Sequence, residues 1–255
     1  MLLSSLLRTI PISLEQGLAY GLVALGIVIT FRILAFPDLT VDGSFPLGAA
    51  VVARLIMEGV PPVYGILMAI ICGFLAGCCT GLLNTKLKIN SLLAGILMMT
   101  ILYSVNLRIM GRSNIQLLTV DTLLTPLENL DVNRFIPIIA FFFLVAVGIK
   151  LLTDMFLHTQ IGFAMRATGD NEQMIRTLGV NTDNMTVLGL GISNAFVALS
   201  GALVAQDQGF SDVGMGIGMI VAGLASIIIG EALFGKKTVK RMTLAAIVGS
   251  IIYKF

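Results

Sequence analysis

The chain has 255 residues, 57% of them hydrophobic and only 12% charged, with a formal net charge of +2 and no tryptophan. A soluble domain of this size cannot hide that much apolar surface, so the composition excludes a soluble globular enzyme and predicts an all-α integral membrane protein. The small positive balance contains no basic stripe of the kind that holds nucleic acid.

A spanning helix needs about 20 predominantly apolar residues, and residues 1–255 are read as one transmembrane domain with about seven to eight such helices, some discontinuous. The opening residues have no small-residue cleavage site and are taken as the start of the first span. That span runs from Pro11, a favourable helix start, to Leu34. Gly17, Gly21 and Gly26 permit close helix approach along it.

The sequence FPDLTVDGSFP follows at 36–46. Pro37, Asp38, Asp42, Gly43 and Pro46 all oppose a continuous helix. The apolar run after them, Leu47 to Met57, is too short to span alone. Two readings stay open here. Asp38 and Asp42 belong to a broken helix beside a translocation path, or they sit in a plain interfacial turn.

Spans three and four are read at Val63–Asn84 and Ser91–Met110, and the longest loop at 111–134, with room for a small helix or strand of its own. Span five is read at Phe135–Asp154. Span six, Thr186–Val204, carries Ser193 and Asn194, which either line the path or hydrogen-bond neighbouring helices. A second polar, Gly-rich turn, QDQGFSDVGMGIG, spans 206–218. Joined to the short spans that follow them, the two Asp-containing turns hint at an inverted repeat. Glu231 is expected to pair with Lys236 or Lys237. The last apolar run, Ala245–Phe255, is read as an incomplete helix.

Between spans five and six lies a polar island, HTQIGFAMRATGDNEQMIRTLGVNTDNM, at 158–185. Asp170 is expected to cap a short helix, with Gln173 completing a capping box, and Gly179 to end it in a left-handed conformation. Glu172 and Arg176 form an i,i+4 pair. Met174, Ile175 and Leu178 give the helix an apolar side that needs a cover, either lipid or a partner protein. Lys and Arg are the more frequent at this end of the spans, which places the island in the cytosol and the N-terminus outside.

No phosphate-cradling loop, nucleophile elbow or zinc-protease pattern is present. Cys72, Cys78 and Cys79 match no zinc spacing, and His158 stands alone. Neither catalytic nor metal-binding residues are expected. The energy for any transport then comes from a gradient or from another subunit.

The stretch FAMRATGDNEQMIRTLGVNTDNMTVLGLGISNAFVALSGALVAQDQGF resembles the permease subunits of bacterial ABC importers of the branched-chain amino-acid and ribose type. GLAYGLVALGIVITFRI resembles that family's first span, and IIIGEALFG its subgroup linked to aromatic amino acids such as tryptophan or tyrosine. The resemblance implies an inner-membrane permease with no cofactor of its own. ATP and Mg would belong to two partner ATP-binding subunits, substrate delivery to an extracytoplasmic binding protein, and a homodimer would form with a second permease. It implies that Gly169, Asp170, Asn171, Glu172, Met174, Ile175, Arg176, Leu178 and Gly179 form the coupling helix docked on the ATPase. A gradient-driven secondary transporter or channel is the alternative.

Overall fold

The computed structural model describes residues 2–128 and 135–255. Asp131 and the rest of 129–134 in the long loop lie outside the described residues. The chain is a helical bundle in the order α1 (Leu2–Ile27), α2 (Val41–Met57), α3 (Pro62–Thr85), α4 (Ser91–Met110), β1 (Asn114–Gln116), α5 (Thr125–Glu128), α6 (Phe135–Leu157), α7 (Gln160–Asp170), α8 (Glu172–Thr177), α9 (Thr182–Gln208), β2 (Phe210–Asp212), α10 (Met219–Phe234) and α11 (Val239–Lys254). Among the described residues, five helices are long and apolar enough to cross a membrane: α1 with its π-helical continuation, α3, α4, α6 and α9. The shorter α2, α10 and α11 complete the set and include the two interrupted spans read from the sequence.

The centre of the bundle is α2 and α9, whose buried residues mix glycine, alanine and serine with larger apolar side chains such as Phe45 and Leu203. Where glycine stands at a helix crossing, backbones touch. A methyl group added at Gly77 of α3 would stand 2.1 Å from the carbonyl oxygen of Leu190 on α9. The hydroxyls of Ser200, Ser193 and Ser250 each donate at 2.7 Å to carbonyls of α1, those of Ala19, Gly26 and Gly17. Interhelical bonds of this kind contribute about 0.6 kcal/mol each inside membranes. The outer faces of α3, α4 and α6 stay apolar and exposed, with Leu75, Ile101 and Leu144 among the exposed side chains.

At one end of the bundle β1 and β2 form a two-stranded antiparallel ladder with Asn114 opposite Asp212. This strand and the short α5 are the local structure for which the long loop had room. At the other end stand α7 and α8.

Several boundaries differ from the sequence reading: α1 begins at Leu2, so Pro11 lies inside it rather than at its start, and α9 extends beyond Thr186–Val204 at both ends. The second span starts at Val41 rather than Leu47, so Asp42, Gly43 and Pro46 lie inside α2. Pro46, the sixth residue of α2, leaves the carbonyl of Asp42 without its ladder donor. The polar island holds two helices rather than one, α7 having been missed. The final helix begins at Val239, before the apolar run proper.

Candidate functional site

Two groups of residues carry polar chemistry, one at the α7–α8 end and one inside the bundle.

At the α7–α8 end, Thr159 starts α7 by accepting from the amide of Gly162 at 3.2 Å. The helix runs through Gly169 and Asp170 and stops at Asn171, whose φ of −155° is extended. Asn171 then caps α8, its side-chain oxygen accepting from the Met174 amide at 3.0 Å. The expected cap, Asp170, is instead the last residue of α7. Two capping residues stand side by side, and the one adjoining α8 takes the role. Gly179 ends α8 with φ +84°, as expected. The amide of Val180 donates to Ile175 and that of Gly179 to Arg176, at 3.3 and 3.1 Å, which is the Schellman closure.

The Glu172–Arg176 pair forms at 2.7 Å. Arg176 does more than the i,i+4 rule foresees. Its fork also reaches Asp183 at 2.6 Å and Thr182 at 2.6 Å, and so ties α8 to the first turn of α9. Ile175 turns inward at 7% exposure, while Met174 and Leu178 are 57% and 67% exposed. The apolar side is thus divided, one residue anchoring and two presented. Gly169 packs on the π-helical end of α1, Val28–Ile33, just before the interrupted segment 34–40.

Inside the bundle, the interrupted segment carries a fully buried carboxylate. Asp38 accepts from the Thr40 amide at 2.9 Å and from the Asn194 amide group at 2.8 Å. Ser44 donates to the other end of the Asn194 side chain at 2.7 Å, and the hydroxyls of Thr40 and Thr80 meet at 2.8 Å. Thr40, Ser44 and Thr80 join this layer without any sequence signal, since isolated hydroxyls are common in apolar helices. Ser193 is adjacent in sequence but faces α1. Asp38, Ser193 and Asn194 are all 0% exposed, closed into helix–helix contacts.

Asp42 is placed differently. Its two carboxylate oxygens accept from the backbone amides of Gly218 and Ile220 at 3.0 and 2.9 Å. It therefore caps α10 from across the bundle and joins the two Asp-containing turns in space. Only glycine fits where the second turn touches α2, since a methyl group on Gly216 would stand 2.1 Å from the Asp42 carbonyl oxygen. Glu231, expected to pair with Lys236 or Lys237, pairs with Arg32 at the end of α1. The lysines lie beyond the end of α10, whereas Arg32 faces it.

Two cavities flank the buried layer. One of about 570 Å³ is lined by Ala35, Phe36, Lys88, Glu172, Arg176 and Asp183 and is mostly polar. The other, of about 290 Å³, is lined by Asp42, Pro46, Met99 and Asn106 among others. The chain from Phe36 to Asp42 connects their walls.

Comparison with known proteins agrees with this architecture. The family described as the permease component of branched-chain amino acid transport systems matches residues 10–255. The chain is 49% identical over 242 residues to a tyrosine transport system permease protein of Clostridioides difficile, covering 95% of this chain and 79% of that protein. It is 41% identical over 222 residues to an uncharacterized protein of Rickettsia prowazekii, covering 87% of this chain and 76% of that one. At 27% identity over 193 residues it resembles the autoinducer 2 import system permease protein of Yersinia pseudotuberculosis, covering 76% of this chain and 54% of that protein. No solved structure matches. With the family matched along nearly the whole chain, and with a helical bundle whose interrupted spans meet at its centre, this chain belongs to the branched-chain amino acid transport system permease family.

Proposed function

We propose that the chain is the transmembrane subunit of an ATP-driven importer for a small solute of the amino-acid class, aromatic or branched-chain, in a bacterial inner membrane. The tyrosine permease at 49% identity supports the solute class. In this reading two copies pair, an extracytoplasmic protein delivers the solute, and two ATP-hydrolysing subunits dock at α8 in the cytosol. The N-terminus lies outside.

The observation that carries the reading is α8 itself. It is capped at both ends, tied to α9 through Arg176, and presents Met174 and Leu178 outward. A surface helix that binds lipid usually carries several basic residues, whereas α8 pairs its one arginine with two acids. A docked subunit that moved α8 would move α9 with it, and through Gly169 the end of α1, on either side of the buried layer. Rocking of rigid elements about a central site is how alternating access works in membrane transporters.

Met174→Asp and Leu178→Asp test this reading. Both sites are exposed, so the permease should accumulate and fold normally but lose the ATPase subunit in a pull-down. Retained association would remove the docking assignment. A gradient-driven transporter is the second reading, favoured by the buried carboxylate of Asp38. Uptake into proteoliposomes decides between them: the first needs ATP and survives an ionophore, and the second does the reverse.

A further inference from the structure

At the wall of the smaller cavity, between α2, α4 and the turn at 213–218, lies a hydrogen-bond acceptor that none of the described residues satisfies. Asn106 is 0% exposed. Its amide nitrogen donates to the carbonyl of Gly43 at 3.2 Å, and its Oδ1 has no partner among the described residues. A buried acceptor left unpaired is destabilising, so one that persists points to a donor supplied from elsewhere. The nearby hydroxyl of Thr100 does not answer it, being turned back on the carbonyls of Ile96 and Leu97 in its own helix.

The other groups define the complement. Asp42 brings a carboxylate whose oxygens each accept from one α10 amide and keep further acceptor capacity, so it contributes both charge and an acceptor to the cavity wall. Pro46, Met99 and Val213 supply apolar wall. Tyr103 and Ile217, 52% and 76% exposed, stand at the rim. At about 290 Å³ the space is at the lower limit of small-molecule pockets, about 300–1,000 Å³. A solute that fits needs an N–H donor carrying positive charge at one end and a compact apolar body at the other.

We propose that this cavity is a solute station, in which Asn106 Oδ1 and the charge of Asp42 receive the ammonium group of an apolar amino acid whose side chain packs on Pro46 and Met99. The proposal rests on the transport reading and adds where in the chain the solute stops.

Two experiments test it. The chain has no tryptophan, so Thr100→Trp places a single tryptophan, excited selectively over the tyrosines, at the cavity in the purified permease. Titration with L-leucine should give a saturable emission shift. N-acetyl-leucine, which lacks the ammonium group, should need at least tenfold more, and Asn106→Leu should abolish the response. A shift that is absent, or unchanged by Asn106→Leu, overturns the station. In the second experiment Met99→Trp fills the cavity of the reconstituted transporter, with Met155→Trp on exposed α6 as the control. Uptake of L-leucine and L-tyrosine should fall at least tenfold in Met99→Trp alone, with complex assembly and basal ATP hydrolysis retained. Undiminished uptake overturns the station and leaves the transport reading standing. A wild-type transporter that carries neither amino acid overturns the transport reading itself.

Discussion

Gly169 and Ile33 are in backbone contact: a methyl group added to Gly169 would stand 1.9 Å from the carbonyl oxygen of Ile33. This contact joins the α7–α8 end to the residue that precedes the interrupted segment. Overpacking between rigid elements costs about 1–3 kcal/mol. Gly169→Val is therefore expected to push α7 off α1, leaving α8 presented and tied to α9 but no longer linked through α7 to the end of α1. ATP hydrolysis by the assembled complex should persist while solute carried per ATP falls severalfold. Equal loss of both activities would show that the contact serves folding alone.

The buried layer predicts a graded series. Asn194→Leu removes the amide donor that Asn194 gives Asp38 in a space closed to water. A buried acceptor left unsatisfied costs about 1–3 kcal/mol, so the melting temperature in detergent should drop by several degrees. Ser44→Ala removes a hydroxyl partner of the same asparagine and should cost about 1 kcal/mol. In Asp38→Asn the carboxyl is reduced to a single acceptor oxygen, and that variant should tolerate Asn194→Leu better than the wild type does. The double-mutant cycle, read by thermal unfolding, measures the coupling directly.

Asp42 works as a helix cap supplied from another helix. Asp42→Ala releases the amides of Gly218 and Ile220, a loss comparable to removing an N-cap, about 0.5–2 kcal/mol. Asp42→Asn retains one acceptor oxygen and should lie between. Cysteines placed at Ile217, in a background without Cys72, Cys78 and Cys79, report the turn. They should react with a maleimide faster in Asp42→Ala than with Asp42 intact. An unchanged rate would mean that the turn is held by packing at Gly216 instead.

Arg176 meets two carboxylates and a hydroxyl with one planar fork. Its side chain is 54% exposed, so solvent weakens these pairs and Arg176→Ala should cost less than about 1 kcal/mol of stability. The effect on coupling should be larger, because α8 is then tied to α9 only by the Thr182 hydroxyl that donates to Glu172. Arg176→Lys is not expected to restore it, since a single ammonium cannot reproduce the fork. Pull-down affinity for the ATPase subunit and its dependence on salt are the measurements. A lysine variant that behaves as wild type would reduce the fork to a simple charge.

Much of this arrangement was legible in the residues, and the limits have physical causes. The i,i+4 pair of Glu172 and Arg176, the stop at Gly179 and the break near Pro37 are local, so spacing and backbone preference reveal them. The cap was misplaced by one residue because Asp170 and Asn171 are both good caps, and only the length of α7 decides between them. The partners of Asp38, Asp42 and Glu231 lie 156, 176–178 and 199 residues away in the chain. No periodicity encodes such pairings; they arise from which helices the small residues allow to touch. Asn106 gives no signal in the sequence beyond a polar residue near the end of an apolar run, because its unsatisfied oxygen has meaning only once its neighbours are in place.

The helix α10 is held at its first turn by Asp42 and near its last by Arg32, both from the segment where α1 gives way to α2. Sixteen residues make a rod of about 24 Å, fastened at each extremity to a piece of chain that is itself not straight. Such a rod cannot tilt freely. Any change in the bend between α1 and α2 alters the spacing of its two fastenings, so α10 must either follow the bend or release one end. The weaker fastening is the ion pair, whose arginine is 38% exposed to solvent, while the amide bonds at Asp42 lie within the bundle. The rod should therefore let go first at the end nearest α7 and α8, and swing about Asp42.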